Sequence, residues 1–326
     1  MNGKTRLLCS ALALTGILLA GPVLALDKVR YILPTSPNIP SMAPPQIAKH
    51  LGYYEAEGLD VEFIVGKGGV DAASQVGAGN AEFAGGIGDT SMIVRANRVP
   101  VKGVMLLGDG ALMALAVRDD AGVDGLKDLK GKSVSVLSFQ DTTYYALLGM
   151  LGSVGLAKSD VDAQSLGPSG MTQMFVSGQV QAMAALPDFV VTAEDAGTKF
   201  KVYASKDFTP SMAQAILTSD KLIAENPDLV RRFIRATNKA FTQFRHDPAG
   251  MTKAFVATIP SLAGKEAYLE RVFALYGKLA YGNQKVPGAF DPAKLDKLQK
   301  LYSEVGVLRT TTPVEELYTN AFVTGQ

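Results

Sequence analysis

The sequence predicts an α/β protein of two lobes, each built on a doubly wound, mostly parallel sheet. Three observations carry this expectation. The chain has 326 residues, which at roughly 150 residues per domain is enough for two compact units. Short β-branched runs alternate with helical patterns, which is how parallel βαβ units read. A stretch from Gly79 to Asp89 also recurs as Gly178 to Asp188, at a constant offset of 99 and with Gly and Asp identical at the two ends. Gly68 meets Gly167 at the same offset.

Composition removes several function classes. Apolar residues make up 47% and charged residues 19%, too apolar a balance for a long disordered chain. Lys and Arg number 32 against 31 Asp and Glu, without the basic surplus that holds nucleic acid. Two His and one Cys are too few for a zinc or iron–sulfur cage. We therefore expect no metal, no cofactor and no nucleic-acid partner.

The elements follow in chain order. Lys4 and Arg6 precede residues 7–26, 20 positions without a charge. Gly21-Pro22 breaks that run late, and Val23-Leu24-Ala25 offers the small-x-small pattern of a leader cleavage site. Residues 1–25 are thus expected to be a cleaved signal peptide. Removing 25 of 326 residues leaves 301, without Cys9, and takes the net charge from +1 to −1 through the loss of Lys4 and Arg6. An exported chain without disulfides points to a bacterial-type periplasm. No later segment is apolar for long enough to cross a membrane.

Residues 28–33 read as a first strand, 41–51 as a helix, 59–65 as a strand and 70–77 as a helix. Gly79 and Gly178 stand where a helix ends on a left-handed residue. The small residues after each form a short strand buried on both faces. Asp89 and Asp188 then follow a strand and precede a helix, where a carboxylate caps free N–H groups. Capping is the favoured reading of both. The same place, beyond the carboxyl end of a strand, is where open α/β sheets bind ligands. Two extended apolar runs ending in acids, 112–119 and 211–219, read as crossings between the lobes. Lobe one is then residues 27–112 plus 219–326, and lobe two 119–211. Asn226-Pro227 supplies an N-cap and a first-turn proline. The stripe Leu229, Val230, Phe233, Ile234, Ala240, Phe241 and Phe244 marks a core-facing helix that runs to Pro248.

These residues resemble a known family. Ala48, Gly52-Tyr53-Tyr54 and Gly58-Leu59-Asp60-Val61 fit the A-x-x-x-G-[YF]-[YF]-x-x-x-G-L-x-V run of nitrate/sulfonate/taurine-type periplasmic solute-binding proteins. Asp128-Leu129-Lys130-Gly131-Lys132-Ser133-Val134 resembles that family's D-L-x-G-K-x-V. Ser177-Gly178-Gln179-Val180-Gln181-Ala182 resembles its S-G-Q-x-D-A, with Gln181 in place of the acid. The resemblance covers most of the mature chain. It implies the two-lobed periplasmic binding protein fold (type II), a monomer, a small-molecule ligand in a cleft that closes about a hinge, and the permease of an ABC importer as partner. A sensory partner of a signalling protein is the alternative on the same fold.

A cleft of this kind is built from loops that leave strand ends in both lobes. The candidates in lobe one are Thr35, Ser36, Asn38 and Ser41, then Gly88, Asp89 and Thr90, then Asp109. In lobe two they are Ser138, Phe139, Thr142, Thr143, Pro187 and Asp188. Gln214, in the second crossing, completes the set. Ser, Thr and Gly ahead of helices leave free N–H groups that favour a carboxylate or sulfonate, whereas Asp89, Asp109, Asp141 and Asp188 oppose one. Phe139, Tyr144 and Tyr145 could stack on a flat polar ring. Both ligand classes stay open on sequence.

An enzyme is not expected. His50 and His246 lie in separate helical polar faces, and no Ser or Cys occupies a nucleophile elbow. Gly66-Lys67-Gly68-Gly69 lacks the phosphate-loop spacing and reads as a flexible βα turn. Distant relatives of the same fold make a thiamine pyrimidine precursor with a His and a cofactor-binding Lys after the first strand. Residues 33–41 carry neither.

Overall fold

The computed structural model describes residues 25–282 and 284–324, so the expected leader lies, but for Ala25, outside the described residues. Among these, no helix is long and apolar enough to cross a membrane.

Among the described residues, ten strands form two five-stranded sheets of one plan. In the first, β1 (Asp27–Leu33) pairs in parallel with β2 (Leu59–Val65) and with β3 (Phe83–Ile87), while β4 (Val101–Leu106) closes the far edge. In the second, β5 (Ala114–Arg118), β6 (Ser133–Val136), β7 (Asp162–Ser165), β8 (Ala182–Ala185) and β9 (Phe200–Ala204) stand in the order β7-β6-β8-β5-β9. β10 (Gln214–Ser219) returns to the first sheet, whose order is β2-β1-β3-β10-β4. Each sheet holds one antiparallel guest, β10 between β3 and β4, and β5 between β8 and β9. The duplicated stretches supply β3 and β8, which occupy the same place in the two sheets. Both are buried along their whole length, as their small residues require.

The guests correct the expected crossings. The runs at 112–119 and 211–219 contain β5 and β10, strands inside the sheets. The chain passes between sheets ahead of each, within residues 107–113 and 205–213. An apolar extended run reads alike in a crossing and in a sheet. Pairing decides: Ala114–Arg118 bonds to β8 and β9 and Gln214–Ser219 to β3 and β4, whereas residues 111–113 and 211–213 are as buried but lie outside the ladders.

Helices cover both sheets. Around the first lie α1 (Ala43–His50), α2 (Tyr53–Ala56), α3 (Gly69–Gly77) and α4 (Thr90–Arg95); around the second lie α5 (Thr142–Ser153), α6 (Gly167–Val176) and α7 (Pro187–Asp195). α3 and α6 end on Gly79 and Gly178, left-handed at φ 81° and 78°, as their sequence position predicts. α8 (Asp220–Glu225) leads into α9 (Pro227–His246), whose Asn226 side chain accepts from the Leu229 N–H. The predicted stripe of α9 is buried throughout, and Phe233 stacks on Phe83 at 4.0 Å.

Four more helices follow: α10 (Pro248–Thr258), α11 (Glu266–Tyr276), α12 (Pro292–Glu304) and α13 (Val314–Leu317). α11 runs on into a π-helical turn, Gly277–Tyr281, a feature that often marks functional sites. These helices do not stay with the first sheet. α11 packs on α10 and on α7, and α12 packs on α5 of the second sheet. Gly149 and Gly152 of α5 make that approach possible, because a Cβ there would lie 2.8 Å from Tyr302 and 2.2 Å from Val305.

Candidate functional site

Asp89 and Asp188 leave equivalent strand ends, yet neither caps a helix. Asp89 has helical backbone angles and accepts no capping hydrogen bond. Asp188 sits inside the first turn of α7, after Pro187. Each carboxylate instead receives a buried tyrosine hydroxyl from a C-terminal helix. Tyr302 of α12 donates to Asp89 Oδ2 at 2.6 Å, and Tyr276 of α11 donates to Asp188 Oδ1 at 3.0 Å. Burial pushes both carboxyls up to about 6, and the Asp141 charge adds to the effect on Asp89. The favoured capping reading therefore fails for both. The carboxylate that does cap is Asp141, which accepts from the Thr143 N–H at 2.9 Å and hydroxyl at 2.5 Å. Burial raises its carboxyl too.

The structure sorts the sequence candidates into three sets. Thr35, Ser41, Thr142, Thr143 and Gln214 meet at the bottom of the cleft between the sheets. They enclose, with Asp141 and Leu186, a cavity of about 20 Å³, room for about one water. Gln214 is fully engaged there. Its amide nitrogen donates to the Ser41 carbonyl, and its oxygen accepts from Tyr281 at 2.6 Å. Ser36, Asn38 and Asp188 line a second, far larger cavity of about 900 Å³.

The remaining candidates line neither cavity. Thr90 accepts from the Ile87 N–H at 2.9 Å and closes its own turn. Gly88 donates to the Ala213 carbonyl and has no room for a side chain, since a Cβ would meet Met212 at 2.8 Å. Pro187 is the buried first residue of α7. Asp109 lies at the C-terminal segment, 3.6 Å from Lys294. Phe139 is 42% exposed, with its ring against Tyr144 at 5.1 Å. Ser138 donates to the Lys67 carbonyl at 3.4 Å. Its loop was expected to touch ligand, but it touches the other sheet's glycine turn instead.

That turn is a contact between the sheets. The Val70 N–H donates to the Gln140 carbonyl at 3.2 Å. Gly68 has φ 117°, and a Cβ there would lie 2.6 Å from the Gln140 oxygen. The flexible turn read from the sequence is thus a close junction that only glycine permits.

Both walls of the large cavity are now clear. Ser36, Asn38, Ile39 and Pro40 come from the loop after β1. Pro168, Ser169, Thr172, Gln173 and Val176 come from α6, and Asp188, Phe189 and Thr192 from α7. Leu262, Lys265 and Tyr268 close it from the C-terminal segment. Lys265 is the one cation among these lining residues. Sequence reasoning missed Phe189, Tyr268, Tyr276, Tyr281 and Tyr302. Phe189 and Tyr268 line the cavity, while Tyr276, Tyr281 and Tyr302 bring hydroxyls to Asp188, Gln214 and Asp89; nothing local in the sequence separates these aromatic residues from ordinary core. Among the described residues, no three His, Cys, Asp or Glu side chains are grouped to hold a metal ion.

Comparison with known proteins places this architecture. The riboflavin-binding protein RibY of Chloroflexus aurantiacus is 25% identical over 307 residues, 92% of this chain and 87% of that one. A yeast 4-amino-5-hydroxymethyl-2-methylpyrimidine phosphate synthase, THI13 of Saccharomyces cerevisiae, is 20% identical over 277 residues, 78% of each. The alkanesulfonate-binding protein SsuA of Xanthomonas axonopodis pv. citri, solved bound to MOPS, superposes with a TM-score of 0.70. The match covers 91% of this chain and 99% of that one at 17% identity. The profile of the NMT1/THI5 like family matches residues 39–251. With that match and two mixed sheets of one plan, the chain belongs to the NMT1/THI5-like family and has the periplasmic binding protein fold.

Proposed function

We propose that this protein is an extracytoplasmic receptor that captures a small organic molecule between its two sheets and delivers it to the permease of an ABC importer. The cavity of about 900 Å³, walled by loops and helices of both sheets, carries the reading. Its size suits a ligand of a few rings. Because its walls belong to two bodies joined by short crossings, a hinge movement can admit and enclose a solute without new secondary structure. The binding functions named for RibY and SsuA support a receptor. A synthase is disfavoured by the chain's own residues, since 33–41 hold neither His nor Lys.

Two measurements test this. In a Gram-negative host, the protein recovered from the periplasmic fraction should begin near Leu26. A chain that keeps residues 1–25 in the membrane fraction would contradict export by cleavage. Cells lacking the gene should stop accumulating the small molecule that co-purifies with the exported protein. Unchanged uptake, with a lost transcriptional response to that molecule, would favour the sensory alternative.

A further inference from the structure

We propose that the large cavity selects a planar nitrogen heterocycle, uncharged or cationic, that presents an N–H donor to the free oxygen of Asp188, and that it rejects acids. The inference rests on the receptor reading above and narrows its ligand. Asp188 is 4% exposed, and one oxygen accepts from Tyr276. The other has no side-chain donor, and the residue lines the cavity. That oxygen is open to the cavity, unlike Asp89 Oδ1, which is sealed away without a partner, so a ligand that displaces water from it must bring a donor or leave the acceptor unpaired, which is costly.

The rest of the wall fits a flat, neutral ring. Pro40, Pro168, Phe189 and Tyr268 provide flat apolar surface, while Asn38 and Gln173 bring amides that can read a ring edge. The Tyr268 hydroxyl is spent on the Asp188 carbonyl at 3.2 Å and on Thr192 at 3.1 Å, so this residue offers its ring. Two features favour an anion: exposed Lys265, and the first turn of α6 at Pro168 and Ser169. A helix end acts as about half an elementary charge, and an exposed ammonium is screened by solvent. An ionised Asp188, buried at the wall, is a full opposing charge, and among the described residues no Arg or Lys is paired to it. An acid seated against that wall meets that charge uncompensated.

The test is a thermal-shift screen of the exported protein, unfolded and refolded to strip carried-over ligand. One set of probes holds riboflavin, lumichrome, thiamine, cytosine and adenine. The other holds MOPS, ethanesulfonate, benzoate and nitrate. Hits are expected only in the first set. The affinity of the best hit should fall about 10- to 100-fold in Asp188→Asn, because an amide NH₂ would then face the ligand's N–H. Asn can still accept from Tyr276, so the melting temperature without ligand should hold. Hits confined to the acids, or a heterocycle whose affinity is unchanged in Asp188→Asn, overturn the inference and leave the receptor reading standing. No hit in either set overturns it as well. If native mass spectrometry after exposure to cell extract then finds no bound compound, the receptor reading falls with it.

Discussion

Gly68→Ala is expected to weaken solute capture about 5- to 150-fold while leaving both sheets folded. The turn that holds Gly68 closes the first sheet against the loop before α5 of the second. There, a Cβ would lie 2.6 Å from the Gln140 oxygen, 2.8 Å from its carbonyl carbon and 2.9 Å from the Asp141 nitrogen. These are backbone atoms, so they cannot swing aside as a side-chain end would. Overpacking of this kind costs about 1–3 kcal/mol, which is the quoted range of affinity. On the receptor reading, opening the cleft parts these two loops, so the penalty falls on the closed arrangement. A second cost falls on every arrangement, since φ 117° is backbone that side-chain-bearing residues rarely adopt.

Gly79→Ala separates the two costs. Gly79 has φ 81°, and a Cβ there meets nothing within 4 Å. It should lose about 1–2 kcal/mol of folding stability through backbone strain alone, with affinity unchanged. Calorimetry and denaturant unfolding of the two variants side by side make the comparison. Equal affinities in Gly68→Ala and wild type would show that this junction is no part of the closed state.

How much of this was legible in the sequence depended on whether a feature is local. Gly79 and Gly178 announce helix ends by type and place alone, and both are left-handed in the structure. The stripe of α9 is likewise local, because its seven apolar positions need only a helix and a sheet to face. The order of strands in each sheet is not local. β5 and β10 read as crossings because an apolar extended run does not say which neighbours bond to it, and each bonds to two strands of its sheet. The duplicated Asp residues show both sides of this limit. Repetition singled them out, and position made capping the default. Their actual partners lie 88 and 213 residues away, on helices whose tyrosines look like core. Asp109 failed for the same reason, since its neighbour Lys294 is 185 residues distant. Turn chemistry can be read within four residues. A buried hydroxyl–carboxylate pair between distant elements cannot.

Tyr302→Phe should reveal the Asp89 pair through pH. Among the described residues, the Tyr302 hydroxyl is the one side-chain donor to Asp89, whose Oδ1 is already buried without a partner. Within this pair tyrosine stays the donor, since burial and the Asp89 charge hold its hydroxyl well above the usual range. Asp89 has its carboxyl raised from 3.8 to about 6, so the folded state holds its proton more tightly than the unfolded chain. The stability this contributes is fully present below pH 3.8 and is lost as pH rises through about 6. Removing the hydroxyl takes away the interaction that favours the charged form and raises the carboxyl further.

At pH 5, where Asp89 is mostly protonated in both proteins, the variant should lose only a neutral hydrogen bond, about 1 kcal/mol. At pH 8 the wild type carries a paired charge and the variant a stranded one. The loss should then grow to roughly 3–5 kcal/mol, capped by whatever it costs to protonate the carboxyl instead. Asp89→Asn added to Tyr302→Phe removes the charge and should recover most of the loss at pH 8, with little change at pH 5. Asp141, whose charge acts on Asp89, is left in place in every variant, so its own titration changes only through the loss of the Asp89 charge. Urea unfolding of the wild type, the single variant and the double variant at both pH values measures these differences. A Tyr302→Phe loss that is the same at pH 5 and pH 8 would mean that Asp89 carries no charge in the folded protein. A loss that Asp89→Asn fails to relieve would place the cost in the packing of Tyr302 against Gly149, not in its hydroxyl.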